Sequence, residues 1–444
     1  MTNATRTAQT FDEEALAALP SSSAFVDQLR KDAFAEFTAL PIPSQETEEW
    51  RYTDLSDFDL AFAPFTPGAP AANLDEVPDE VVAAAGIVGD RAGLQIQRNS
   101  EVVLTNLDTS LTERGVVFTD LDRAIVERPD LVEPHLHTLV PSDRSKFTAL
   151  HAAFRTGGTF LYVPAGVTIE VPLQTLTWVD EEGVAVFPHT LIVVGPDAEV
   201  TFIDRYASPD LGRAFSDAIT EIHADASSRV TYVSIQDWGA GMTHLAVQRA
   251  QLGRDASLRT TSVGFGADLA RVEAESILAG VGASSEALGL FFADGDQHFD
   301  HRTEQDHVAE KCTSDLLYKG ALRDTSRGVY SGWVHVRPGA QGTNAMQTSR
   351  NIMLSEGAFA RAIPNLEIEA NDVRCGHAAS AGPVDDDQLF YLETRGIARS
   401  DAERLIVKGF FQEVIDRVAL EEIRESVAAA IEDELQRPGQ GGQG

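Results

Sequence analysis

Cys375 and His377 stand two positions apart, and Cys375 is one of only two cysteines in a chain of 444 residues. On an extended strand, residues i and i+2 point to the same side, so this thiol and imidazole can reach one ion. Both are ligands for soft and borderline metals. Two protein ligands do not complete a tetrahedral site, so further ligands must come from elsewhere, another subunit included. A free cysteine is also a common, inert core residue, so packing and ligation both stay open for this pair.

A second concentration of candidate ligands runs from Asp296 to His307 and contains His298, Asp300, His301, Glu304 and Asp306. Strand alternation puts His298, Asp300 and Arg302 on one face and His301 on the other. That split argues against one mononuclear site and for a polar ladder. Other chemistries are excluded by pattern. The chain has no phosphate-binding P-loop, no Gly-x-Gly-x-x-Gly at a strand-to-helix turn, no Gly-x-Ser-x-Gly elbow and no Cys-x-x-Cys. Iron–sulfur clusters are usually held by four cysteines. With two, Cys312 and Cys375, no stably bound cluster is expected.

The elements that position these residues change character along the chain. The length calls for two or three domains. Phe11 to Phe37 has apolar residues at near-helical spacing (Leu16, Leu19, Phe25, Leu29, Phe34), ended by Pro41 and Pro43. Pro64 to Ala72 reads as a connector, and short helices are predicted near 119–128 and 145–154. From Gly157 onward, short β segments separated by turns run to about residue 370. Asp197-Ala198, Asp225-Ala226, Asp255-Ala256 and Gly282-Ala283 introduce such segments at a step of roughly 28 residues, and Gly339-Ala340 falls about two steps later. The repeat suggests a β-solenoid; a sandwich or jelly roll with coincidental turn spacing is the alternative.

The last seventy or so residues read as helical. Asp385 stands three before Gln388 and Ser400 three before Glu403, two capping-box patterns, and Gly396 closes the first helix. Leu405, Ile406, Phe410, Val414, Ile415 and Val418 make an apolar stripe in the second, and a third is predicted over 421–435. Such a unit either packs on the end of the solenoid or receives a partner. The expected division is 1–157 mostly helical, 158–371 β core, 372–436 helical and 437–444 a flexible tail.

Asp and Glu total 69 against 35 Lys and Arg, a formal charge of −34. Such a field repels nucleic acid and anionic membrane surfaces, so neither is an expected partner. With about thirty arginines and about five lysines, the acidity reads as the habit of a halophilic, high-salt cytoplasm rather than as a cationic partner's imprint. No apolar run is long enough to span a bilayer, and the first 19 residues lack a signal-peptide pattern. A cytoplasmic location is expected.

Several stretches resemble the SufB/SufD family, the scaffold proteins of the SUF iron–sulfur cluster assembly system. They are Leu40-Pro41 with Glu48 to Thr53; Gly158 to Val167; Arg302 to His307 followed by Cys312 to Gly320; and Gln388-Leu389-Phe390-Tyr391-Leu392 with Arg395-Gly396-Ile397. The resemblance covers most of residues 41–420. It implies a mainly β protein, a right-handed parallel β-helix flanked by N-terminal and C-terminal helical domains. It also implies pairing with a SufB-type paralogue through the β-helices, and docking of SufC, an ABC-type ATPase, on the C-terminal helical domain. Gln388, Leu389, Phe390, Tyr391, Arg395 and Gly396 carry that docking motif. A transient Fe–S cluster shared with the SufB partner would form at the interface.

Within the family, SufB chains carry a cysteine about 28 residues before a His-Glu-Ala motif. Counting back from His377 reaches Ser349, and Ala378-Ala379 follow the histidine. Cys375-Gly376-His377 instead resembles the Cys-Ser-His of the SufD branch, which implies His377 as the metal ligand at the interface and Cys375 as its helper. The departure at Gly376 is expected to loosen the strand. The leading expectation is a non-enzymatic scaffold. The alternatives are a SufB-like homodimer that accepts sulfur on Cys312 and a β-helix polysaccharide-active enzyme, the latter without the basic cleft or secretion signal it calls for.

Overall fold

Why a chain of short β segments forms a solenoid is visible in its pairing. A computed structural model of the protein describes residues 11–21, 23–66, 71–86 and 89–437. From His189–Val194 onward, successive strands alternate between two ten-stranded sheets, and each pairs in parallel with the one a full coil later. Thus Arg229–Asp237 pairs with Ser257–Gly264, and Met242–Leu252 with Leu269–Leu278, residue on residue without slippage. Within each strand alternate residues turn inward, so Val230, Tyr232 and Leu258 fill the interior.

The turns that produce this register share one backbone device. Gly166, Asp197, Ser227, Asp255, Gly282, Lys311 and Gly342 all have φ between 56° and 78°. Each donates its backbone N–H to a carbonyl of the next coil, at 2.6–3.1 Å, from Gly166 to Pro196 through to Gly342 to Asp372. Left-handed backbone is least costly for Gly and then Asp. Hence the Asp and Gly turns are readable in the sequence at Asp197, Asp255 and Gly282. The corners at Ser227 and Gly342 lie two and three residues beyond the turns read at Asp225-Ala226 and Gly339-Ala340, and the device passes unread where Lys311 adopts it. After Gly166 comes Val167; the residue after each of the other six is small and buried: Ala198, Ser228, Ala256, Ala283, Cys312 and Thr343. Cys312 therefore occupies the corner position that alanine holds one and two coils earlier.

Both sheets begin upstream of residue 158. The hairpin Gly93–Arg98 and Glu101–Leu107 joins one sheet by pairing with Leu173–Trp178, and Val117–Asp120 pairs with Thr159–Val163 of the other. The helices Ala24–Ala39 and Lys146–Phe154 pack beside them, with Phe11, Phe37, Trp50, Phe147 and Phe154 in one aromatic cluster that reaches Phe187 and Phe215 of the solenoid. Short helices at Leu121–Glu127 and Lys146–Phe154 match the two predicted. Residues 67–70 of the predicted connector lie outside the described residues, as does the predicted tail from residue 438.

At the other end the last strand is Val373–Pro383, so the sheet runs on beyond residue 371. Three helices follow, Asp386–Thr394, Arg399–Ile415 and Glu421–Gln436. The second and third lie on the flank of the solenoid rather than across its end. Val407, Phe411, Val414, Ile423, Val427 and Ile431 pack against Leu288, Leu290, Phe292 and Leu317, which point outward from the sheet. At about 1.5–3 kcal/mol for each large apolar side chain buried, this contact outweighs the polar ones around it. The second helix starts at Arg399 with Ala398 as its N-cap, so Ser400 lies inside it and caps nothing. Its buried stripe is Ala402, Val407, Phe411, Val414 and Ile415, which leaves Leu405 exposed. Lys319, buried in the sheet, fixes the docking by donating to the Phe410 carbonyl at 2.7 Å and pairing with Glu413 at 2.6 Å.

Candidate functional site: the uncovered end of the solenoid

The two sheets end on Phe359–Ile368 and Val373–Pro383, neither of which has a further strand beyond it among the described residues. Such edges carry free backbone N–H and C=O groups, a template for pairing with another chain. Pro364, which cannot donate to a ladder, sits within one of them, where an edge tolerates it.

Cys375 and His377 lie on the last strand. Their register partners on Thr343–Met353 are Ala345 and Gln347, both buried and both on its inward-facing side. By strand alternation Cys375 and His377 therefore face the solenoid's interior axis. Cys375 is half-buried against a cluster that contains Val334, Val336 and Ala345. Burial pushes its thiol pKa up. His377, two residues on, is exposed because no coil covers it. Among the described residues no third His, Cys, Asp or Glu joins this pair at ligand distance. The same-side placement predicted from i, i+2 spacing holds.

Gly376 has a packing reason. It pairs with Met346, and a Cβ at 376 would stand 3.2 Å from the Met346 sulfur. Glycine here keeps the exposed Met346 side chain against the strand. Met346, Trp333 and Ile368 are exposed apolar side chains near this end, and Ala378, Ala379, Ser380 and Ala381 give the last strand a small-residue surface.

The first C-terminal helix is the other exposed element. Asp385 caps it, accepting from the backbone N–H of Asp387 and Gln388, while Gln388 Nε2 reaches back to Asp385 at 3.3 Å. Leu389 alone of its residues is buried. Phe390 and Tyr391 remain 68% and 56% exposed. Arg395 lies over the Tyr391 ring at 5.1 Å and donates to its hydroxyl at 3.2 Å. Gly396, at φ 86°, turns the chain into the next helix.

The dense histidine segment forms a polar ladder. His298–His307 is a strand whose interior side includes Phe299, His301, Thr303 and His307. His301 stacks on Phe291 with ring centroids 4.7 Å apart, and His307 Nε2 is 2.9 Å from Ser314 Oγ. Burial lowers both imidazole pKa values to about 4. On the outer side Asp300 accepts from Thr53 Oγ1 at 2.6 Å and from Arg271 at 2.5 Å. Against the penalty of its burial, Arg271 and Arg302 hold the Asp300 carboxyl below its usual range. Arg271 also stacks on Trp50 at 4.0 Å. Two stretches noticed separately, 48–53 and 302–307, thus meet in one buried charge network. Sequence reading missed His137, His151 and His189, whose separation along the chain hides that they converge.

Comparison with known proteins agrees with this architecture. Residues 177–410 match the family model "SUF system FeS cluster assembly, SufBD core domain", and residues 1–175 match "SufBD protein N-terminal region". The iron–sulfur cluster assembly protein SufD of Bacillus subtilis (strain 168) is 32% identical over 416 residues, covering 92% of this chain and 94% of its own. An iron–sulfur cluster assembly SufBD family protein of Mycobacterium leprae (strain TN) is 38% identical over 305 residues, 67% of this chain and 76% of that protein. The SufB protein of B. subtilis is 29% identical over 355 residues, 78% of this chain and 76% of its own. The chain belongs to the SufBD family of iron–sulfur cluster assembly proteins and is a homologue of SufD.

Proposed function

We propose that this chain is a non-enzymatic scaffold subunit that pairs, through the uncovered end of its solenoid, with a SufB-type paralogue, and that a transient Fe–S cluster forms in the seam. The observation that carries this reading is His377: it faces the interior axis, yet it stands in solvent because no strand among the described residues covers it. A second solenoid laid edge to edge would close that end and supply the ligands the Cys375–His377 pair lacks. His377 offers an imidazole lone pair to iron, and Cys375, its thiol half-covered, assists. The cluster is cargo, built and passed on.

The exposed face of Asp386–Thr394 docks the ATPase subunit, SufC. Phe390 and Tyr391 supply apolar contact; Gln388, Leu389, Arg395 and Gly396 hold the helix and its exit. Because the adjoining helices are locked to the sheet through Lys319 and Arg417, motion of the ATPase reaches the solenoid without a loose joint. Arg417 pairs with Glu286 at 2.7 Å and Asp315 at 2.5 Å. Among the described residues no helix is long and apolar enough to cross a membrane, and the assembly is assigned to the cytoplasm.

The test is co-purification on a tag at this chain, under salt that keeps it folded, with partners scored by mass spectrometry. Recovery of an ABC-type ATPase and a cysteine-bearing paralogue supports the reading. Recovery of this chain with a second copy of itself and no paralogue favours the homodimer instead.

A further inference from the structure

A second site lies far along the fold from His377, where the N-terminal unit meets the first coils. His137 follows the helix Pro129–Val132, His151 is on the helix Lys146–Phe154, and His189 opens the strand His189–Val194. All three are buried, 7%, 0% and 1% exposed, and one nitrogen of each lies within 4.8 Å of one nitrogen of the other two.

Each ring is anchored by its other nitrogen. His137 Nδ1 is 3.2 Å from the Val140 carbonyl and His151 Nδ1 is 2.8 Å from the Asp217 carbonyl. A carbonyl only accepts, so both of these nitrogens carry the hydrogen. His189 Nε2 stands 3.2 Å from Glu221 Oε2, loosely aligned. Glu221 is itself held as an acceptor by the backbone N–H groups of His137, Leu139 and Val140 at 2.7, 2.7 and 3.0 Å. That leaves His137 Nε2 and His151 Nε2 as lone pairs turned toward His189 Nδ1. His151 Nε2 and His189 Nδ1 lie within hydrogen-bond distance at 3.1 Å, and His137 Nε2 has no hydrogen-bond partner among the described residues.

Three ring nitrogens converge in a dry interior, and His137 Nε2 is left buried with nothing to accept from, a cost that a cation between the rings removes. Nearby Arg155 is already paired with Asp122 at 2.9 Å. Imidazoles whose second nitrogen donates to a carbonyl or carboxylate are how proteins present histidine to metals. In a tetrahedral site with bonds of about 2.1 Å the nitrogens lie roughly 3.4 Å apart, close to the His151–His189 spacing.

We propose that His137, His151 and His189 bind one divalent zinc-class ion, with Val140, Asp217 and Glu221 orienting the rings and a small ligand such as water in the fourth position. The ion ties the N-terminal helices to the solenoid and is independent of the Cys375–His377 end.

The full chain is stripped with EDTA, desalted, and titrated with Co²⁺ and then Zn²⁺. One equivalent of Co²⁺ should raise visible d–d bands that one equivalent of Zn²⁺ removes, and Zn²⁺ should raise the thermal midpoint by several degrees. Both signals should vanish in His137→Ala and His189→Ala and persist in a Cys375→Ala/His377→Ala double variant. Absence of bands and of stoichiometric zinc in the wild-type chain overturns the proposal without recourse to any variant. So does an unchanged titration in a folded His137→Ala chain.

Discussion

Gln347 and His377 are register partners on neighbouring strands, and one step along the solenoid takes this inward column from a side chain 1% exposed to one standing in solvent. The column behind them is ordinary core: Leu316 pairs with Gln347 from the previous coil, and Ala287 with Leu316 from the one before. Covering the end therefore changes the surroundings of His377 more than those of any residue beneath it.

His377→Ala should accordingly leave folding alone and remove function. The side chain is exposed, so its loss should change the unfolding free energy by no more than about 0.5 kcal/mol. Cluster assembly by the reconstituted complex should fall to background while the partners still co-purify. Normal cluster yield from a folded His377→Ala complex would remove this residue from the site.

The exposed pair on the first C-terminal helix gives a separable test. Phe390→Ser with Tyr391→Ala removes two side chains that the chain itself does not bury, so thermal stability should hold within a degree or two. Capture of the ATPase should drop at least tenfold. A folded chain ending at residue 384 that retained full ATPase binding would place the docking surface elsewhere.

Cys312 is a corner residue, and its replacement should be quiet. Alanine occupies the same position at Ala256 and Ala283, so Cys312→Ala should cost about 1 kcal/mol or less. Burial raises its thiol pKa, which suppresses the thiolate that sulfur acceptance needs. Sulfur-35 transfer from a cysteine desulfurase to the assembled complex should be unchanged in Cys312→Ala. Loss of transfer would revive the SufB-like reading.

What the sequence disclosed follows from how local each signal is. Strand alternation separated His298 and Asp300 from His301 correctly, because it depends on one strand alone. The coil repeat was read in place where Asp197, Asp255 and Gly282 take the left-handed turn, two or three residues early at Ser227 and Gly342, and not at all at Lys311, where packing imposes the same backbone on an unfavoured residue. The stripe of the helix Arg399–Ile415 was misread at Leu405, since which of two overlapping apolar faces is buried depends on the outward side chains of a distant sheet. The hairpin Gly93–Leu107 went unnoticed for a related reason. Its Gln95 and Gln97 look solvent-facing, yet both are buried, and Gln95 donates to the Gly158 carbonyl at 2.8 Å. His137, His151 and His189 carry no local signal at all.

Glu434 supplies a pH prediction with a defined sign. It sits near the end of the last helix, 5% exposed, with Arg437 at 2.7 Å. Burial raises its carboxyl from 4.5 to about 7, with Asp294 and Asp237 adding to the effect and Arg437 and Arg323 opposing it. Below pH 4.5 the carboxyl is protonated folded and unfolded alike, and the burial carries no charge penalty. As pH rises from 4.5 to about 7 the unfolded chain ionises first, so stability is lost across that window and stays lost above it. Glu434→Gln should match wild type near pH 4 and exceed it by about 2 kcal/mol at pH 8, read from urea midpoints at fixed salt. A Gln variant whose advantage is the same at both pH values would show that this carboxylate is solvated in the folded chain.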